Sequence, residues 1–556
     1  LKILIIGGYG TFGGRLAELL MDTGGLEILI AGRNLDRAQA FCDGLIGAAR
    51  ARPVQVSRDG IGAALATHRP DLVVDASGPF QTYGADPYGV VRACIGAGVN
   101  YLDLADGSDF VFGISDLDEA ARKAGVFALA GASSFPVLTA AVLRRMSQDI
   151  DIRTVTGGIA PSPHAIMGPN VMRAVLSYAG RPVKLVRDGQ PGAGRGLADT
   201  CRFTVSPPGQ MPLPPLIFGL VDVPDLQVLP RSLPGLQSLW MGAGPSPVWI
   251  HRCLIGLARL RARIPALNYV PLAGLFRTVL RVLKYGEHRG GMFVRAEGLR
   301  NGLGAAREWH LLAEGDDGPY IPSMTAEGVV RRILAGDPPA PGARPATDCL
   351  ELDDYDRLFA GRRISYGWRG RVDGDAPLYA RMLEGALANL SPMVRALHDD
   401  RETARWTGQA TVSGGSTLFA RLIARLFGFP SAADTIPVTV ELGRSQNGVE
   451  VWTRTFGGKR FHSSQRAGTG RMERLIEERF GPFRFGLAVL VCGDRLELIC
   501  RKMSVLGVPV PGALIPGGHA FEAEEDGNFR FDVRIALPLV GRIVHYQGRL
   551  ERAETP

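Results

Sequence analysis

The residues with the clearest chemical meaning stand near the start of the chain, where Gly8-Tyr9-Gly10-Thr11-Phe12-Gly13 spells G-x-G-x-x-G between an apolar run, Leu1 to Ile6, and a helical pattern, Thr11 to Met21. In that order the first glycine permits a tight turn, the second lets backbone approach a pyrophosphate, and the third lets helix pack close to strand. The N–H groups and positive dipole end of the helix then face the phosphates. A second apolar run, Leu26 to Ala31, ends just before Arg33, where an NAD-binding chain would carry an acid for the ribose hydroxyls. An arginine there suits the 2′-phosphate of NADP, with Asn34 and Arg37 as helpers; the competing reading is a solvated arginine opening a helix. Ser77-Gly78-Pro79 follows another strand and can shape a nicotinamide pocket or be an ordinary turn. For proton transfer the candidates are Asp103 and Asp106, at a strand end where either could equally cap a turn, and His164 in PSPHA. No metal site is expected.

These residues need a scaffold that sets them at one edge, and the pattern around them supplies it. After Leu26 to Ala31 come a helix (Asp36 to Leu45) and strands at Val54 to Val56 and Asp71 to Ala76. Then follow a helix (Asp86 to Gly96) and strands at Tyr101 to Leu104 and Val126 to Ala130. Alternation of this kind reads as α/β, a Rossmann-type doubly wound parallel sheet over residues 1–132, whose ligands bind outside the carboxyl ends of the strands. Residues 133–360 read as an α/β substrate and dimerisation domain, with a strand at Thr154 to Ile159, a helix at Met172 to Tyr178 and a strand at Met292 to Glu297. Arg187 to Gly196 reads as a loop, and the glycines and prolines of Gly336 to Pro345 close this domain, before a linker at Arg362 to Asp375.

The chain has 556 residues, 46% hydrophobic and 21% charged, enough for several domains. No eighteen-residue apolar stretch or leader is read, and the seven cysteines are scattered without C-x-x-C, which gives the expectation of a reduced, cytoplasmic protein. Most of the net charge of +8 lies between Arg252 and Arg289, with eight Lys or Arg against Glu287. Two helical segments occur there, Trp249 to Ile264 and Pro271 to Lys284. The first carries Ile250, Cys253, Leu257, Leu260 and Ile264 at helical spacing; the second sets Arg277, Arg281 and Lys284 opposite Leu272, Leu275, Val279 and Leu283. Such a pair can lie on an anionic membrane, the inner membrane in this reading, or pack on the protein itself or across a dimer. The uneven charge argues against a nucleic-acid surface.

The motifs GGYGTFGG, AGRNLDRA (Ala31 to Ala38), VVDASGPFQTYG (Val73 to Gly84) and YLDLAD (Tyr101 to Asp106) resemble the saccharopine dehydrogenase-like reductases. The likeness continues through GASSFPV, VDVPDLQVLP (Val221 to Pro230) and Gly315 to Gly336, over about residues 1–345. The resemblance implies an NADP-binding Rossmann domain, a substrate and dimerisation domain, a homodimer, and hydride chemistry on a C=N or C=C bond of a small-molecule or lipid-type substrate. Asp106-Gly107 and Ser133-Ser134-Phe135-Pro136 depart from the family's usual Gly-Glu and Phe-Asp-Ser-x-Pro, which weighs against an amino-acid substrate.

From about residue 377 the texture changes, and 376–556 reads as an independent α+β domain dominated by antiparallel sheet. It has helices at Leu378 to Leu397 and Leu418 to Phe427, then alternating runs from Thr435 to Tyr546. It resembles an uncharacterised bacterial domain through GVEVWTRTFGG, LFGFP and VHYQG. His398, Trp452, Arg454, His462 and His545 are its pocket candidates, with Trp452 and Arg454 expected on opposite faces of a strand. Without Y-x-x-x-K, H-E-x-x-H, a P-loop or G-x-S-x-G, other common chemistries drop out. The reading is an NADP-dependent oxidoreductase acting on an imine, carbonyl or enoyl group; the alternative is a non-catalytic NADP-binding scaffold or sensor docked on a membrane.

Overall fold

Ile3, Leu4 and Ile5 of β1 (Lys2–Ile6) have no exposed surface, as a continuous β-branched run requires of a strand covered on both faces. The structure, a computed structural model, describes residues 1–165, 168–283, 285–370, 376–399, 404–445 and 448–553. With β1 stand β2 (Glu27–Gly32), β3 (Arg50–Gln55), β4 (Leu72–Asp75), β5 (Asn100–Asp103) and β6 (Phe127–Ala130). They lie in the order β6-β5-β4-β1-β2-β3, every pair parallel. Helices α1 (Thr11–Leu20) and α2 (Leu35–Asp43) follow β1 and β2. Gly342–Pro345, in the glycine and proline stretch expected to close the second domain, is instead a seventh strand, parallel to β6 at the sheet edge.

Two compact units divide the chain: Leu1–Phe203 with Leu216–Tyr366, and Thr204–Pro215 with Gly367–Pro556. Besides the parallel sheet, the first unit contains a mixed sheet centred on β7 (Asp151–Ala160), which pairs parallel with Ser238–Ala243 and antiparallel with Arg289–Arg300. Arg187 to Gly196 is not a loop. Pro182–Arg187 and Gln190–Arg195 form a hairpin that turns at Asp188 and Gly189, both at positive φ, the geometry an Asp-Gly pair favours. Helices α3 (Val248–Arg263) and α4 (Ala273–Val282) complete the parts that matter below. The expected linker at 362–375 holds a strand, Ile364–Gly370; residues 371–375 lie outside the described residues.

In the second unit the helix expected from Leu378 to Leu397 is broken into Leu378–Leu383 and Pro392–Asp399, with Glu384 at positive φ between them. Ten antiparallel strands then close into a barrel: the first, Ala404–Ser413, pairs with the last, Gly541–Arg552, and Phe483–Cys492 with Arg495–Val505. An open sheet with one wet face is therefore replaced by a tube whose inner face lines a cavity. Helix α5 (Leu418–Leu426) interrupts the meander after the first strand. Among the described residues no helix is long and apolar enough to cross a membrane.

Candidate functional site

The turn after β1 is built from backbone alone. Gly7, at positive φ, and Gly8 both donate N–H to the Ala31 carbonyl at the end of β2, at 2.9 and 3.0 Å, and Gly10 N–H donates to Gly7 O at 2.8 Å. A Cβ on Gly10 would lie 2.9 Å from Gly7 O, and one on Gly13 2.5 Å, so only glycine lets α1 start this close to the strand. Gly10 precedes α1 without a side-chain cap, and the first-turn N–H groups of a helix have no intrahelical acceptor. The result is a cradle of amides that no side chain fills, which fits a pyrophosphate. Gly7 belongs to this cradle, although the G-x-G-x-x-G count begins one residue later.

At the end of β2 the ring of Tyr9 covers Gly32, where a Cβ would fall 2.2 Å from it. Tyr9 Oη accepts the Asn34 N–H at 3.2 Å, and Arg37 lies over the Tyr9 ring at 5.1 Å. Asn34 Oδ1 accepts the Arg37 N–H at 2.8 Å and thereby caps α2, so its side chain has a structural task. Arg33 is exposed, and its guanidinium has no hydrogen-bond or ion-pair partner among the described residues. Two cations, Arg33 and Arg37, thus follow the end of β2, and their charge fits a phosphate group.

Behind the turn after β4 lies a network that the sequence reading missed. Ser77 Oγ donates to Asp75 Oδ1 at 2.6 Å and lies 3.1 Å from Tyr83 Oη; Arg58 pairs with the other Asp75 oxygen at 3.3 Å and covers the Tyr83 ring. Asp75 is fully buried, and burial pushes its carboxyl above the usual range against the pull of Ser77 and Arg58. Ser77 is therefore a fastener of the Gly78-Pro79 turn.

A cavity of about 410 Å³ opens within this unit, bordered by Thr11 and Phe12 of the glycine turn. Asp106 and Gln81 border it too, with Gln81 Nε2 donating to Asp106 Oδ1 at 3.1 Å. Asp222, which accepts from Ser108 Oγ at 2.7 Å, Tyr178, three serines and the cations Arg15 and Arg277 border it as well. Burial raises the carboxyls of Asp106 and Asp222 and, with both aspartates nearby, the Tyr178 phenol. Asp106 keeps surface open, but onto the cavity. The remaining wall is mainly apolar, including Phe135, Val171, Val175, Leu280 and Met292.

Asp103 does not border the cavity. It is fully buried, its Oδ1 accepts N–H from Ala105 (2.9 Å) and Gly131 (2.7 Å), and burial pushes its carboxyl up to about 7. Its place is that of a brace between the turns after β5 and β6. His164 is also outside the cavity lining: its Nε2 lies 3.1 Å from Gly286 O, and its ring sits beside that of His288. Of the three proton-transfer candidates, the structure brings only Asp106 to the glycine turn, and adds Asp222 and Tyr178 from the far side.

Helices α3 and α4 wrap apolar surface differently from the expected stripes. On α3 the buried side chains are Ile250, His251, Ile255, Ala258 and Arg261, while Cys253, Leu260 and Ile264 are exposed. Arg261 takes a core position because its Nη1 donates to the carbonyls of Leu176, Ser177 and Ala179, which a helix C-terminus leaves without partners. On α4, Ala273, Phe276 and Leu280 pack on Met172 and Leu176, leaving Leu272 and Leu275 exposed. Lys284 lies outside the described residues, and of Arg281 only the backbone is described.

In the barrel, Trp452 and Arg454 face the same side, as residues two apart on a strand must, and both border its interior. His398 is buried against Glu522, His545 pairs with Asp532 at 2.9 Å, and His462 is exposed; none of these three borders the interior cavity. Among the described residues no cluster of His, Cys, Asp or Glu is placed to hold a metal ion.

Residues 3–129 match the family described as saccharopine dehydrogenase NADP binding domain, and residues 390–550 match a domain of unknown function, DUF4166. No curated protein matches the chain. Among solved structures it is similar to apo saccharopine dehydrogenase (L-Glu forming) from Saccharomyces cerevisiae, at 13% identity over 67% of this chain and 100% of that one, with a TM-score of 0.48. It is also similar to amine dehydrogenase from Mycobacterium smegmatis (13% identity, 63% of this chain, 95% of that one, TM-score 0.33). The DAP dehydrogenase of C. glutamicum in complex with DAP gives 12% identity, 65% and 98% coverage and a TM-score of 0.32. The chain thus joins a saccharopine dehydrogenase-type nicotinamide-cofactor domain, residues 3–129, to a C-terminal DUF4166 domain.

Proposed function

We propose that the first unit is an NADP-dependent reductase of a mainly apolar substrate carrying a carbonyl, imine or enoyl group. The supporting observation is the single cavity in which the glycine turn, two carboxylates and an apolar wall meet. Bound NADPH would supply the hydride. The chain's own share is to bind, orient and protonate. Amides of the Gly7–Gly13 turn hold the pyrophosphate, Arg33 and Arg37 hold the 2′-phosphate, and the Ser77-braced turn fixes the nicotinamide end. Asp106, raised by burial and oriented by Gln81, keeps a proton available for the substrate atom that gains negative charge. The apolar wall excludes water and takes the body of the substrate.

The exposed side chains of α3 and α4 support a peripheral seat on a bilayer for this unit. Leu275, Val282 and Tyr285 are 61%, 75% and 77% exposed, while Leu280 and Leu283 from the same segment border the cavity. A lipid-type substrate could then enter without crossing water.

The test is NADPH consumption with long-chain ketones, enones and cyclic imines. The expected result is turnover of at least one apolar member, with Asp106→Asn lowering the rate by roughly 10²- to 10⁴-fold and leaving NADPH affinity unchanged. Because the acting form of Asp106 is the protonated one and its folded pKa is raised, the rate should fall as pH rises through that pKa. Tight NADPH binding with no turnover on any member would favour the scaffold reading.

A further inference from the structure

The barrel encloses a cavity of about 380 Å³, bordered only by residues of the second unit. Its wall is rich in phenylalanine, among them Phe456, Phe480, Phe485, Phe529 and Phe531. Against this wall, three adjacent strands and one helix set a polar cluster. Arg454 Nη1 donates to Ser463 Oγ at 3.0 Å, and Ser463 Oγ donates to Glu478 Oε1 at 2.6 Å. Gln465 Nε2 reaches the same Glu478 oxygen at 3.2 Å, and Tyr379 Oη donates to Gln465 Oε1 at 3.1 Å. Trp452, 4% exposed and 5.1 Å from the Arg454 guanidinium, has no partner for its indole N–H.

Unfilled apolar volume destabilises a fold, and a buried donor without an acceptor adds to the cost. A ligand with an apolar body and a hydrogen-bonding end relieves both. The charges select that end. Arg454, Glu478, Glu522 and Arg534 border the cavity, two of each sign, and Arg454 lies 3.8 Å from Glu478 with both less than a fifth exposed. A carboxylate or phosphate head would meet Glu478 as closely as Arg454, whereas hydroxyls can both donate and accept there. Helix α5 marks the opening: Ile423, Leu426 and Phe427 border the cavity, and Leu426 is also 78% exposed.

We propose that the barrel binds a single-chain amphiphile with an uncharged, hydroxyl-bearing head, of the monoacylglycerol or fatty-alcohol class. The head lies at Arg454, Glu478 and Gln465, which Ser463 and Tyr379 hold in place, and the chain runs along the phenylalanine wall toward α5. Binding here requires no nicotinamide, so its loss and the loss of turnover in the first unit are separable.

The test titrates the delipidated full chain with 1-monooleoylglycerol and with oleate, each brominated in the chain and kept below micelle formation, and reads tryptophan quenching. The expected result is quenching by the brominated monoacylglycerol at tenfold or more lower concentration than by brominated oleate. Most of that quenching should vanish in Trp452→Phe. Glu478→Gln, which leaves Arg454 unneutralised, should narrow the preference about tenfold in favour of oleate. Oleate binding as tightly as the monoacylglycerol to the unmodified protein would overturn the head assignment. Quenching that persists in Trp452→Phe, or none at all, would overturn the site. Should Glu478→Gln not fold, the unmodified comparison and the Trp452→Phe difference still decide.

Discussion

Arg33 stands exposed at the end of β2 while Arg37, one helical turn further, lies over Tyr9, so the two cations have unequal freedom to meet a phosphate. Charge-assisted hydrogen bonds are worth about 1.5 to 3 kcal/mol. Arg33→Ala should therefore weaken NADPH binding by roughly ten- to a hundredfold and leave NADH nearly unchanged. Arg33→Asp should go further, repelling the phosphate while accepting the ribose hydroxyls. Fluorescence titration of both cofactors checks this, and an undiminished NADPH preference in Arg33→Ala would pass the role to Arg37. The places of Gly8 to Gly13, Arg33 and Asp106 at a turn and at strand ends were readable in advance because such features are local in the chain. Tyr178, at the end of a helix, and Asp222, just after a strand of the second sheet, reach the same cavity from more than seventy residues away, and no local spacing announces them. Arg58 and Asp75 stayed hidden because an ion pair between a half-buried arginine and a buried aspartate leaves no periodic trace.

At the scale of elements, α3 and α4 carry the sharpest prediction. If their exposed apolar side chains seat on a bilayer, the protein should float with anionic vesicles and not with neutral ones, and high salt should release it, since surface attraction is screened. Leu275→Glu with Val282→Glu should abolish flotation without changing NADPH affinity. Loss of flotation on Leu418→Glu with Phe419→Glu instead would assign the contact to α5, whose Leu418 and Phe419 are 80% and 75% exposed. Existence and type of elements followed well from hydrophobic period, but facing did not. Of the stripe Ile250, Cys253, Leu257, Leu260 and Ile264, Ile250 is buried but Cys253, Leu260 and Ile264 are exposed, while Arg261 turns inward to the unpaired carbonyls at a neighbouring helix end. The Asp188-Gly189 pair, hidden in a glycine-rich stretch, made a hairpin where a loop was expected.

For the whole molecule, the decisive fact is that the units are not consecutive. Thr204–Pro215 belongs to the second, where Thr204 Oγ1 donates to Glu473 at 2.7 Å, Val491 N–H donates to Gly209 O at 2.8 Å, and Val205 and Leu213 are buried. A chain cut after Arg371 would leave that segment without its partners and should aggregate, whereas residues 1–371 and 376–556 expressed together should co-purify. A monomeric 1–371 fragment with unchanged NADPH affinity, measured by light scattering and titration, would show that the segment finds another resting place. Barrel closure was illegible for the same reason that this segment was: the first and last strands pair across the whole domain, and such pairing has no signature in either strand. The strand Gly342–Pro345 adds a matter of timing. It reaches the ribosomal exit some 210 residues after β6, which at about 5 to 20 residues per second is roughly 10 to 40 seconds. Throughout that interval the nascent nicotinamide domain presents β6 as an open edge, able to recruit any strand nearby. A fragment that stops at residue 132 would keep that edge open for good, however complete its glycine turn.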